Sequence, residues 1–320
     1  MDPMQSLAEF CAHGGRLAAA ARAFGGGDWI DLSTGIAPWA YPHGALDLTR
    51  LPEPGELAAV EAAAADAFGV ADPARVVAVP GTDLALRLLA VVLGAERPAV
   101  VRPGYAGHAA AWGAARSVAA GVDPGDADLL VLASPANPDG RVTPPEQLRA
   151  LAGRMTVVVD EAYADPAPGL CGEASDRLIV LRSFGKFYGL PGVRLGFVIA
   201  GPRVAGALRQ LLGDWPVSLP AITIGTAAYR DAGWRGEQVE RIDTVGTLLD
   251  TVLSRFEPVG AAPLFRLVGA ADAHGLFRHL CNHAILTRPF AERGDRLRIG
   301  LPADGAALAR LTHALSEYPR

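Results

Sequence analysis

The chain has 320 residues, enough for one large domain or a large and a small one. Half of them are apolar and 20% are charged, an ordinary composition for a soluble protein, and the net charge of −5 argues against non-specific binding to nucleic acid or anionic membranes. No run approaches the ~20 apolar residues of a membrane span, the opening MDPMQSLAEF lacks the basic-then-apolar order of a signal peptide, and Cys11, Cys171 and Cys281 stand far apart with no CxxC, all of which fits a reducing, cytoplasmic setting.

Residues 1–24 read as an N-terminal arm in which His13-Gly14-Gly15 leads into an Ala-rich helix stopped by Gly25-Gly26-Gly27. Ile30–Leu32 is a short strand, and Ser33–Pro54, with Pro38, Pro42, Pro52 and Pro54, is irregular. Gly55–Phe68 places Leu57, Val60, Ala64 and Phe68 on one helical face. The strand Arg75–Val79 stops at Pro80-Gly81, and a helix follows with Thr82 or Asp83 as its cap. Ala99–Val101 is a strand, then Pro103-Gly104-Tyr105 turns into a helix around Gly107–Arg116. The strand Asp128–Leu132 ends in the turn Ser134–Gly140, Pro144–Gly153 is a helix, and the strand Thr156–Val159 ends in Asp160-Glu161. The apolar runs Leu178–Leu181 and Leu195–Ala200 read as buried strands around a polar, Gly-rich loop.

From Gly55 to Ala200 strand and helix alternate, the pattern of an α/β domain whose sheet is mostly parallel with helices on both faces, and polar turns follow the strand ends where such sheets place ligands. Beyond it come helices at Arg203–Leu212, Glu237–Phe256, Asp272–His283 and Asp304–Leu315, with strands at Leu264–Val268, Ile285–Thr287 and Leu297–Gly300, a smaller α+β domain. The expected division is an arm of residues 1–40 joining the small domain, a large domain of 41–213 and a small domain of 214–320.

Lys186, in the loop between the two apolar runs, is the only lysine of the chain. Arginine cannot form a Schiff base, and a lysine held between buried strands should have a lowered pKa, so Lys186 is the candidate nucleophilic amine. Ser183 and Arg194 share its loop. Gly81-Thr82-Asp83 is either a phosphate cradle at a helix N-terminus or an ordinary capped turn. Tyr105 could stack on a flat ring or simply pack, and Asn137 could bind a ligand or only form its turn. Asp160 could cap its surroundings or pair with a cationic ring nitrogen, and Tyr163 three residues on could reach the same ligand. Taken together they supply what pyridoxal phosphate needs: a lysine, an acid for the pyridine nitrogen, phosphate donors, a stacking ring and partners for the 3-oxygen. His279 and His283 bracket Cys281, but no third metal ligand accompanies them, and neither GxGxxG nor GxxxxGK[ST] occurs.

Asn137-Pro138-x-Gly140, Asp160-Glu161-Ala162-Tyr163, Ser183-Phe184-Gly185-Lys186 and Arg194-Leu195-Gly196 resemble fold-type I pyridoxal-phosphate enzymes of the class I/II aminotransferase group, over nearly the whole chain. Within the group, His13-Gly14-Gly15, Asp31–Ile36, Leu51-Pro52-Glu53-Pro54 and Leu181–Phe187 are most similar to the threonine-phosphate decarboxylases of the cobalamin pathway, relatives of histidinol-phosphate aminotransferases. The resemblance implies that Lys186 is the Schiff-base lysine, that Asp160 keeps the pyridine nitrogen protonated, that Asn137 and Tyr163 bond the 3-oxygen, that Tyr105 stacks, and that Gly81, Thr82, Asp83, Ser183 and Arg194 bind the phosphate. It implies that Arg298 clamps the substrate carboxylate with its guanidinium fork, that Arg288 helps to bind substrate anions, and that His13 and Gly14 approach the substrate phosphate. It also implies a homodimer acting on a small phospho-amino acid, with no nucleic acid, membrane or metal involved. Two positions depart from the pattern: Leu51 stands where relatives carry a tyrosine, and Ala37 where many carry an asparagine. The leading expectation is decarboxylation of L-threonine O-3-phosphate. An aminotransferase would use the same residues, and a non-catalytic sensor domain is a third reading, against which stand the intact lysine–acid pair and the lack of an N-terminal helix-turn-helix.

Overall fold

The computed structural model describes residues 3–319. The chain divides into two compact units, Ala40–Gln238 and Met1–Trp39 with Val239–Arg320.

The larger unit is built on a seven-stranded sheet in the order Val76–Val79, Gly196–Ile199, Leu178–Ser183, Thr156–Asp160, Leu129–Ala133, Pro98–Arg102, Arg116–Ala119. Gly196–Ile199 runs antiparallel to both its neighbours, and the remaining pairs are parallel. Val76–Val79 and Gly196–Ile199 are buried at every position, as strands covered on both faces must be. On one face Val77, Val79, Val131, Val158, Ile179, Leu181 and Val198 pack against Leu86 and Leu89 of the helix Thr82–Leu93 and against Val204 and Leu208 of the helix Pro202–Leu212. On the other face Phe197 meets Phe68 of the helix Pro54–Phe68 at 5.8 Å and Tyr229 of the helix Leu219–Arg230 at 5.5 Å.

That last helix moves the expected boundary at residue 213. Ser218 caps it by accepting from Ala221 N, Tyr229 stacks edge-on with Phe68 at 5.2 Å, and Gly225 lies so close to Leu195 and Val60 that a Cβ would strike them. Residues 214–238 therefore belong with the larger unit, and the division falls inside the helix Ala232–Leu253, which starts earlier and ends earlier than the expected Glu237–Phe256. The helix expected around Gly107–Arg116 spans only Ala106–Ala111, and Arg116–Ala119 is an edge strand. Only Val118 of that strand is buried, so it carries no apolar run to read.

In the smaller unit, Arg288–Pro289, Arg296–Gly300, Phe265–Gly269 and Glu257–Ala262 form a four-stranded antiparallel sheet in that order, and Ile30–Asp31 pairs in parallel with Ile285–Leu286. The helices Ala273–Asn282 and Gly305–Glu317 are capped by Asp272 and Asp304, which accept from Gly275 N and Ala307 N. No helix among the described residues is long and apolar enough to cross a membrane.

Candidate active site

Asp160 ends the strand Thr156–Asp160 and is buried. Its Oδ1 accepts from Ala162 N at 3.1 Å and its Oδ2 lies 3.0 Å from His108 Nε2. An ionised carboxylate only accepts, so Nε2 carries the proton. His108 is fully buried and its Nδ1 has no hydrogen-bond partner, so a second proton there would be stranded without an acceptor. These contacts leave each carboxylate oxygen a lone pair for a further donor. His108 lies one helical step beyond Tyr105, and that i, i+3 spacing is the signal by which the sequence could have revealed it.

At the same edge of the sheet, Gly81 precedes the helix Thr82–Leu93 with φ of 88°, in the left-handed region where glycine is at ease. The sequence names Thr82 or Asp83 as the cap of this helix, but Gly81 occupies that position and no side chain caps it. The first amides of the helix stay available, and the Arg194 guanidinium lies against the glycine: a Cβ on Gly81 would be 2.5 Å from Arg194 Nη2. Arg194 is itself left-handed, at φ 58°, and donates to Pro191 O at 3.2 Å. Open amides at a helix start with a cation beside them form an anion cradle. Next to it the Tyr105 hydroxyl donates to Asp83 Oδ1 at 3.0 Å, while Asp83 Oδ2 pairs with Arg87 at 2.8 Å. The Tyr105 ring meets the His108 ring edge-on at 5.6 Å. Burial first, then the Asp83 charge, pushes the Tyr105 phenol up to about 12.

The loop expected between residues 181 and 195 contains a one-turn helix, Phe184–Phe187, and a 3-10 turn, Pro191–Val193. Lys186 is half-buried on that turn rather than sealed between strands, and its Nζ lies 5.9 Å from the centre of the Tyr163 ring. Ser183 ends the strand Leu178–Ser183 one residue before the turn. Asn137 sits in a loop closed by Ala136 N to Arg141 O and Gly140 N to Ala136 O, both at 2.8 Å, after the strand Leu129–Ala133.

His13, Gly14, Arg288 and Arg298 belong to the smaller unit, where Gly14 and Arg298 lie against Ser33. Arg298 Nη2 donates to Ser33 O at 2.7 Å with its guanidinium 5.0 Å from the centre of the Phe265 ring. Gly15 N donates to Ser33 Oγ at 2.7 Å, and Ser33 donates from both N and Oγ to Asp31 Oδ1. Gly14 passes so close that a Cβ would sit 2.5 Å from Ser33 O. His13 is exposed beside them. Arg288, expected at a substrate anion, donates to Phe10 O and Ala12 O at 2.8 and 2.9 Å, holding the C-terminal end of the helix Pro3–Ala12.

The larger unit fits pyridoxal phosphate by its donor set: an amine at Lys186, a buried carboxylate with an acceptor position to spare at Asp160, an anion cradle at Gly81 and Arg194, and the flanking Tyr105 ring. The model of the family "aminotransferase class I and II" matches residues 46–315. The chain is 39% identical to a threonine-phosphate decarboxylase of Pseudomonas aeruginosa, covering 95% of this chain and 96% of the relative. It is 37% identical to a threonine-phosphate decarboxylase of a Sinorhizobium species, covering 95% and 97%. The histidinol-phosphate aminotransferase of Sinorhizobium meliloti, solved in complex with pyridoxal-5'-phosphate, superposes with a TM-score of 0.76 at 24% identity, covering 99% of this chain and 96% of that one, and shares its fold. With two thirds of its length and more matched in each comparison, the chain belongs to the aminotransferase class I and II family.

Proposed function

We propose that the protein is a pyridoxal-phosphate-dependent decarboxylase of L-threonine O-3-phosphate, releasing CO2 and leaving (R)-1-aminopropan-2-yl phosphate for the cobalamin side chain. The observation that carries the substrate is the similarity, across almost the whole chain, to two relatives bearing that name. The cofactor is supported by the lysine, acid and anion cradle of the larger unit.

Bound pyridoxal phosphate supplies an electron sink for the pair left on Cα as the carboxylate departs. The chain's own residues do the rest. Lys186 Nζ would hold the cofactor covalently and is the amine that would supply a proton to Cα. Asp160, oriented by His108 and Ala162 N, would hold the proton on the pyridine nitrogen. The Gly81 turn with Thr82 and Asp83 amides, Ser183 and Arg194 hold the cofactor phosphate, Asn137 and Tyr163 the 3-oxygen, and Tyr105 the ring face. Arg298 takes the substrate carboxylate, and His13 with Gly14 the substrate phosphate. Arg288 acts at one remove, by fixing the helix that leads to His13. The working form is a homodimer in the cytoplasm, and sedimentation at micromolar concentration checks the dimer.

Purified protein with pyridoxal phosphate and L-threonine O-3-phosphate should release CO2 without an amino acceptor. Amino transfer from histidinol phosphate to 2-oxoglutarate, with no CO2 from threonine phosphate, would replace this reading by the aminotransferase one.

A further inference from the structure

Asp83 is a carboxylate in a place where negative charge is a liability. Its backbone amide belongs to the anion cradle, and a like charge beside a bound phosphate weakens it. The usual reason for an acidic residue in a first turn is capping, yet this side chain accepts nothing from the helix amides. Both its oxygens are committed elsewhere, one to the Tyr105 hydroxyl at 3.0 Å and the other to Arg87 at 2.8 Å.

We propose that Asp83 is a positioning residue for the cofactor ring: its carboxylate pins the Tyr105 hydroxyl so that the phenol presents a fixed face, and Arg87 offsets the charge this leaves near the cradle. Gly107 supports the assignment independently. A Cβ there would collide with the Tyr105 ring and come within 2.9 Å of Asp83 Oδ1, so the chain keeps a glycine inside a helix where the pinned ring passes. The His108 ring meets it edge-on at 5.6 Å. The raised Tyr105 phenol stays protonated at neutral pH and so remains a donor to the carboxylate.

The inference rests on the proposed cofactor, and the test separates the two. Holoenzyme of each variant is diluted, cofactor release is followed by visible absorbance, and visible circular dichroism reports the ring's setting. Asp83→Ala and Tyr105→Phe should each weaken retention about tenfold, the loss of one charge-assisted hydrogen bond, with the same change in the dichroism band. The double variant should be no weaker than either single one, because both remove the same contact. Asp83→Asn, whose amide oxygen accepts from the same hydroxyl, should stay within about twofold of wild type. Wild-type retention by Asp83→Ala, or losses that multiply in the double variant, would overturn the inference alone. A wild-type protein that takes up no pyridoxal phosphate would overturn the proposed cofactor and this inference with it.

Discussion

Asp160 and Glu161 are consecutive buried carboxylates, 6% and 3% exposed, yet their surroundings differ in kind. Asp160 faces the side of the sheet that carries the helix Thr82–Leu93, meets the His108 imidazole and one amide, and keeps acceptor capacity on both oxygens. Glu161 meets Arg182 at 3.1 Å, Leu170 N at 2.9 Å and the thiol of Cys171. Arg182 is itself fully buried, bonds Asp165 at 2.5 Å and Ala167 O at 2.8 Å, and stacks over Phe68 at 4.7 Å. Burial opposes its charge, but the Asp165 and Glu161 carboxylates outweigh that and keep the guanidinium protonated. Gly169, left-handed at φ 57°, leaves the room that the Glu161 carboxylate occupies. The same strand ends therefore carry an arginine-paired carboxylate network on one face and, on the other, an acid whose side-chain partner is an imidazole. A buried charge whose partners match its valence holds structure; one left with capacity is available for a ligand.

That contrast can be broken by substitution. On the open side, Lys186→Ala should lower turnover by about 10⁴-fold or more in a CO2-release assay while the thermal midpoint changes little. Asp160→Asn should lower turnover by about 10²–10³-fold, again with modest loss of stability, because it removes the charge that faces the ring nitrogen. On the arginine-paired side the order reverses. Arg182→Met strands Glu161 and Asp165 and should destabilise by about 3–5 kcal/mol in urea unfolding, with the residual folded enzyme still retaining cofactor. If Asp160→Asn proved as destabilising as Arg182→Met, the distinction between the two carboxylates would be wrong.

Two finer measurements sharpen it. His108→Phe removes the donor to Asp160 Oδ2 and should cost about tenfold in turnover, with a changed pH profile rather than a changed KM. Tyr105 titrates near 12, above its ordinary 10.0, because burial and Asp83 disfavour the phenolate. Its folded pKa is raised, so its contribution to stability is fully present below about pH 10 and is lost as pH rises through about 12. Asp83→Ala should bring that titration down, read as the difference in tyrosinate absorbance between Asp83→Ala and the Asp83→Ala/Tyr105→Phe double variant.

Residues whose meaning lies in local order were legible from the chain. Asp160, Ser183 and Asn137 follow apolar runs that can only be strands, and Gly81 marks a strand-to-helix turn, so their common edge could be anticipated. Lys186 is conspicuous as the only lysine, although no local pattern marks its half-buried helical turn. Leu219–Arg230 carries two prolines' worth of interruption at its approach and small residues throughout, so its helical face did not stand out until Tyr229 found Phe68 and Phe197. The charge of Arg288 is visible in sequence, whereas the helix-end carbonyls it also meets lie more than 270 positions away.

By itself the amino-acid order determined the alternation of strand and helix, the position of the polar turns and the single amine, because hydrophobic period and turn chemistry act over a few residues. Only the tertiary structure decided that His108 would lock onto Asp160 across 52 positions, that Asp83 would reach Tyr105 across 22, and that Ser33 would gather Gly15 and Arg298. Such pairings depend on which strand ends and helix starts the packed sheet brings side by side, and hydrogen bonds between side chains form only once the apolar core has set those distances.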